Sequence, residues 1–199
     1  MDIHEKAIRL LQEKAEQPNR SRKTTSQKYK KSTKPVTDYV VLDFETTGLR
    51  AGADQIIQIG AIRYFDHWKD EQMDVLINPR RYISPTITRL TGISNEMVED
   101  APTIDEKIGD LVEFIGELPI IAHNASFDMG FLYALEGVNG VTLPEYTVID
   151  TVKIARQKIK DTPNHKLTTL TQYLQLEHDA HNAIGDCLAT AAIYQYCTK

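Results

Sequence analysis

The sequence predicts a mixed-sheet α/β domain covered by helices, and three observations carry that prediction. Residues 39–45 (YVVLDFE), 55–65 (QIIQIGAIRYF) and 71–78 are strand-like runs separated by short, turn-punctuated connections, as expected of an antiparallel three-strand meander. After Pro79 the pattern changes to helices alternating with short strands, which adds parallel strands and helical cover. With 199 residues, 41% apolar and 26% charged, the chain can bury one sizeable core, and no apolar run approaches the roughly 20 residues of a membrane helix.

Ile104, Ile108, Leu111, Val112 and Ile115 recur along one face of a helix that stops near Gly116. A short strand over 119–122 runs into Ser126, read as the N-cap of a helix reaching Glu136. A strand over 146–149 and two or three further helices follow, the last over 183–197. Ahead of this domain (38–199), residues 1–37 carry a balance of +6, which leaves −11 for the remainder. Residues 17–34 are polar, basic and nearly free of aliphatic side chains, the composition of a flexible linker. Before them, Ile3, Ala7, Leu10 and Leu11 fall at the spacing of a short amphipathic helix, able to dock on a partner or on its own domain.

The first residues are charged throughout and have no secretory apolar stretch. Cys187 and Cys197 share the last helix and stand roughly 15 Å apart, too far for a disulfide and poorly placed for zinc. Reduced thiols and a cytoplasmic protein are expected.

The chemistry is carried by acids at element ends. Asp43 and Glu45 lie at i and i+2 on the first strand, so both carboxylates project to one face, and Thr46-Thr47-Gly48 places them at a rim. Buried together, two carboxylates require something cationic. Asp128, in HNASFD, falls in a first helical turn, where an acid also suits the helix dipole. In HNAIGD, five residues of helix would turn about 500°, so His181 belongs in the preceding loop and Asp186 in the opening turns. Four carboxylates at strand ends and helix starts suit a pair of hard divalent cations with open positions for water and substrate. A neighbouring histidine, with an unperturbed pKa of about 6.5, suits a general base. The residues alone therefore point to metal-assisted hydrolysis of a phosphoester.

DFETTG, HNASFD and HNAIGD, in that order, resemble the three motifs of the DEDD exonucleases of the histidine subtype, in particular the 3′–5′ exonucleases similar to the epsilon subunit of DNA polymerase III. The resemblance spans about 38–197 and continues through Ile59-Gly60-Ala61, Leu90-Thr91-Gly92-Ile93, Ala101-Pro102-Thr103 and Ile149-Asp150-Thr151. It implies an RNase H-like fold and two divalent cations, Mg²⁺ or Mn²⁺. Asp43, Glu45, Asp128 and Asp186 match the metal-binding carboxylates, and His181 matches the general base. It further implies hydrolysis of terminal phosphodiester bonds of DNA to nucleoside 5′-monophosphates, in replication proofreading or repair.

Thr46, Thr47, Gly48 and Leu49 follow the first ligands directly and are expected beside the 3′-terminal nucleotide. Asp150 matches no ligand and reads as structural, and His123 and His165 receive no role. The basic run Lys153, Arg156, Lys158, Lys160 and Lys166 has two readings, phosphate contacts or cations late in a helix that satisfy its dipole. Nucleic acid is the expected partner, DNA ahead of RNA, with a polymerase or repair protein reached through the N-terminal segment. An RNA-trimming exonuclease similar to ribonuclease T or oligoribonuclease, and a non-catalytic nucleic-acid-binding module, are the alternatives.

Overall fold

The structure is a computed structural model, and it describes residues 28–178 and 180–199. The proposed amphipathic helix at Ile3–Leu11 and most of the basic linker lie outside the described residues. Six strands form one sheet: β1 (Lys30–Ser32), β2 (Tyr39–Thr46), β3 (Ile56–Phe65), β4 (Trp68–Leu76), β5 (Ile120–Ala122) and β6 (Thr147–Asp150). Their order across the sheet is β1-β6-β5-β2-β3-β4. The meander β2-β3-β4 is antiparallel, while β5 lies parallel to β2, β6 to β5, and β1 to β6. This is the mixed RNase H-like sheet the sequence predicts.

Seven α-helices are described, besides a 3₁₀ turn at Val138–Gly140: α1 (Pro85–Thr91), α2 (Asn95–Val98), α3 (Ile104–Ile115), α4 (Ser126–Ala134), α5 (Thr151–Lys158), α6 (Leu167–Tyr173) and α7 (Ala183–Thr198). The alternation of β2 decides which helices cover which face. Val40, Leu42 and Phe44 pack with Ile108, Leu111 and Ile115 of α3 and with Met129 and Leu132 of α4. Tyr39 and Val41 point the other way, toward Ile154 of α5, Leu170 of α6 and Cys187, Ala191 and Tyr194 of α7. A satellite cluster of Ile57, Ile83, Ile87, Ile93 and Val98 seats α1 and α2. Both cysteines are free and buried on α7. No described helix is long and apolar enough to cross a membrane.

Three expectations change. The third strand begins at Trp68 rather than residue 71, because Asp66 and His67 both take positive φ (49° and 64°) and close β3 and β4 as a two-residue hairpin. Neither residue is a glycine, so the tightness of the turn was not marked in the sequence. Within the stretch 17–34 read as linker, the described residues include a strand. Lys30–Ser32 pairs with β6 as an edge strand, and Val36 exchanges two hydrogen bonds with the Tyr194 hydroxyl, at 2.7 and 2.9 Å. Three polar residues on a sheet edge need little apolar content, which is why the strand reads as linker. Finally, Ala125, not Ser126, precedes the first turn of α4, and Ser126 is its first helical residue.

Candidate active site

The sequence-chosen acids meet at the carboxyl end of β2. Asp43 lies opposite Gly60 and Glu45 opposite Gln58, and a register shift follows directly between Glu45 and Thr46. Such a bulge ends the regular alternation and re-aims side chains. Beyond it the 46–49 turn is tied down: Thr46 Oγ1 donates to the Gly48 carbonyl at 2.6 Å, and Thr47 Oγ1 accepts the Gln55 N–H at 2.9 Å. A Cβ on Gly48 would lie 2.6 Å from the Asp54 carboxylate, so glycine is what lets the turn close; Leu49 at its tip is exposed.

Asp128 enters from the first turn of α4, and its Oδ1 accepts the Phe44 N–H at 3.2 Å, which ties α4 to the strand carrying Asp43 and Glu45. Asp186 enters from the opening turns of α7, whose N-cap Asn182 accepts from the N–H groups of Ile184 and Gly185. His181 stands in the loop just before, in a left-handed backbone conformation with φ 63°. The Gln58 side chain accepts the Ala183 N–H at 3.3 Å. Gly60 permits the approach: a Cβ there would sit 2.6 Å from Ala183. The missing side chain brings α7 close to the sheet, with Asp186 in its first turn.

The result is a tight cluster. One donor atom each from Glu45, His181 and Asp186 lie within 4.8 Å of one another. Burial, with Asp128, Asp186 and Glu45 close by, raises the Asp43 carboxyl well above the ordinary carboxylate range. Glu45 is pushed up to about 8 by burial and by Asp186 and Asp128. Asp128 also reaches about 8, chiefly through burial, with its backbone hydrogen bonds opposing and Asp150 and Asp186 adding to the rise. Among the described residues no Lys or Arg forms an ion pair with any of these four carboxylates. An all-oxygen donor set with an imidazole beside it and no resident cation fits a hard divalent ion.

The remaining polar residues are accounted for differently. Asp150 caps α5: its Oδ1 accepts the N–H groups of Val152 and Asn124, at 3.0 and 3.2 Å. His123 bridges the Thr151 hydroxyl and the His165 carbonyl, and its pKa is lowered, mainly by burial. His165 donates to the Ile159 carbonyl. The sequence reading missed His178, whose Nε2 lies 2.5 Å from Asp186 Oδ1, with Nδ1 3.3 Å from Thr171 Oγ1. It sits in a loop, where no periodicity or motif marks it. The basic run divides. Arg156 and Lys158 occupy the last turn of α5 and Lys160 donates to the Arg156 carbonyl, as the dipole reading expects, but Lys153 falls in the first turn.

A family profile described as Exonuclease (RNase_T) matches residues 40–194, so the chain belongs to this exonuclease family. It is 39% identical over 160 residues to the PolC-type DNA polymerase III of Caldanaerobacter subterraneus subsp. tengcongensis and 41% identical over 155 residues to that of Bacillus subtilis strain 168. These matches cover 79% and 77% of this chain but only 11% of each polymerase, so the chain spans about a tenth of the length of these relatives. Exonuclease X in complex with 5′ overhanging duplex DNA superposes with a TM-score of 0.58 at 25% identity, covering 78% of this chain and 89% of that one. E. coli Exonuclease I in complex with a dT13 oligonucleotide shares the fold, with a TM-score of 0.68 at 19% identity over 81% of this chain and 41% of that one.

Proposed function

We propose that this chain is a divalent-metal-dependent 3′–5′ exonuclease that shortens DNA one nucleoside 5′-monophosphate at a time, in replication proofreading or repair. The observation that carries the proposal is the cluster itself: buried carboxylates from β2, α4 and α7 converge, and no Lys or Arg among the described residues pairs with them. Exonuclease X with its bound DNA and the polymerase III relatives favour DNA as the substrate. Residues 38–199 serve as the catalytic domain, with β1 added at the edge of its sheet.

Asp43, Glu45, Asp128 and Asp186 are the ligands in this reading, a donor set for two ions, with Mg²⁺ or Mn²⁺ suited to oxygen ligands. When bound, such ions supply charge neutralisation and Lewis-acid polarisation of the scissile phosphate. The chain's own groups do the rest. His181, neutral, accepts a proton from the attacking water at an imidazole nitrogen. The 46–49 turn, held by its internal hydrogen bonds, positions the 3′-terminal nucleotide. His178 steadies the Asp186 carboxylate from the side.

Incubating the protein with 5′- and 3′-labelled single-stranded DNA, duplex DNA and RNA, each with Mg²⁺, Mn²⁺ or EDTA, tests the reading. A ladder shortening from the 3′ end of DNA with either metal, silent in EDTA, is expected. Shortening from the 5′ end, or turnover undiminished by EDTA, overturns it; faster shortening of RNA replaces DNA by RNA as the substrate.

A further inference from the structure

Beside the carboxylate cluster lies a pocket whose two lysines belong to none of the family motifs. It measures about 130 Å³ and is lined by Tyr29, Lys31, Ser32, Ser126, Asp150 and Lys153, together with the apolar Ala125 and Val148. Three of these residues come from β1 and the stretch just before it, ahead of residue 40 where the family match begins. We propose that this pocket is a second substrate subsite, which holds a backbone phosphate of the nucleic-acid strand upstream of the nucleotide being removed. The inference rests on the exonuclease reading and deepens it.

Register builds the pocket. Lys31 pairs with Val148, so the two side chains stand on one face, with Tyr29 and Asp150 two residues away along the same strands. The Lys31 ammonium lies 5.7 Å over the Tyr29 ring, and that ring stacks on Tyr133 with centroids 5.9 Å apart, which holds the lysine stem against a rigid aromatic pair. Lys153 reaches in from the first turn of α5, where the helix dipole disfavours a cation. Neither ammonium is paired with a carboxylate among the described residues, although Lys30 next door bonds Glu145 at 2.8 Å. Asp150 is the one acid in the lining, against Lys31 and Lys153, so the lining keeps a net positive charge, and its Oδ1 is engaged by two backbone N–H groups.

Size and place name the ligand. A volume well below the several hundred Å³ of a small-molecule cleft suits a single anionic group. Asp150 in the lining stands close enough to raise the Asp128 carboxyl and also holds the Asn124 N–H, so the pocket adjoins the cluster. On the exonuclease reading, a strand with its 3′ end at the carboxylates would lay an upstream phosphate toward that pocket. In a domain whose residues 38–199 total −11, two unpaired lysines are a local reversal of sign.

The test compares the full chain with its Lys31→Ala/Lys153→Ala double variant on two substrates, dT12 and the p-nitrophenyl ester of thymidine 5′-monophosphate, which has no upstream phosphate. On dT12 the variant should show a higher KM at low salt and an unchanged kcat. Its logarithmic salt dependence should flatten by about 0.7 for each phosphate that a lysine no longer neutralises. Hydrolysis of the ester should be unchanged, and Lys31→Arg should behave as wild type on dT12. Equal impairment on the ester would make the lysines part of the fold or the chemistry. An unchanged KM and slope on dT12 would remove the subsite. Anisotropy titration of fluorescent dT12 in EDTA reads the same difference without turnover: a wild-type chain that binds better than the variant yet hydrolyses nothing sinks the exonuclease reading alone, and equal binding sinks the subsite.

Discussion

At the start of β2, the Tyr39 ring stacks on Tyr64 with centroids 5.0 Å apart and takes the edge of Tyr194 at 5.0 Å, while its hydroxyl accepts from Gln195 at 2.9 Å. At the end of the same strand, four and six residues on, Asp43 and Glu45 meet Asp128 and Asp186, with no Lys or Arg among the described residues paired to them. Burial acts at both ends with opposite sign. Aromatic rings with satisfied hydroxyls gain from leaving water, whereas carboxylates crowded together lose. The entry of the strand holds the fold, and the exit holds an electrostatic debt that a ligand can discharge.

Breaking the exit should have the largest functional effect. Asp43→Ala or Asp186→Ala is expected to abolish hydrolysis while the metal-free melting temperature stays level or rises, because one repelling charge is gone; near-wild-type turnover in either variant would undo the assignment. Next, His181→Ala should lose roughly 10²–10⁴-fold in kcat, the usual worth of a general base, with metal affinity kept as read by calorimetry. Loss of metal binding at a retained rate would instead make His181 a ligand.

Damage at the entry should show the reverse pattern. Tyr194→Ala removes a buried aromatic and both bonds to Val36, and should cost about 3–5 kcal/mol in denaturant melts, with kcat per folded molecule unchanged. Tyr194→Phe keeps the ring and should cost about 1–3 kcal/mol. A fall in kcat with either would show that the two ends are not separable.

The mildest test uses pH alone. Glu45 and Asp128 titrate near 8 in the folded protein, against an ordinary value of roughly 4 in the unfolded chain. Between those values the folded state binds protons that the unfolded state has released, so metal-free stability should fall as pH rises through that window. Melting in EDTA should occur at a higher temperature at pH 5.5 than at pH 8.5, and Mg²⁺ or Mn²⁺ should raise it more at pH 8.5. A metal-free melting temperature that climbs with pH would contradict the crowded cluster.

Much of this was legible in the sequence because it is local. The i, i+2 spacing of Asp43 and Glu45, the first-turn place of Asp128 and the loop place of His181 follow from short-range geometry, and the structure agrees. What was not legible depends on partners distant in sequence. Residues 30–32 become a strand because β6 offers an open edge, not because KKS favours one. His178 meets Asp186 only after α6 and its loop fold back. Lys153 parts company with Arg156 and Lys158 because α5 starts at Thr151, capped by an aspartate whose other contact is on α4's loop.

Gly60 makes no contact with substrate in any of this, yet it bears on how related sequences should be read. Facing Asp43 across the sheet, it leaves less than a methyl group of clearance beneath Ala183. An alanine there would act as a shim under the hinge end of α7, lifting Asp186 away from its neighbours while every one of the five named side chains stayed in place. A chain that carries the full set can therefore still be a dead enzyme, and an inventory of reactive groups has to include the hydrogen atom that stands where a side chain would be.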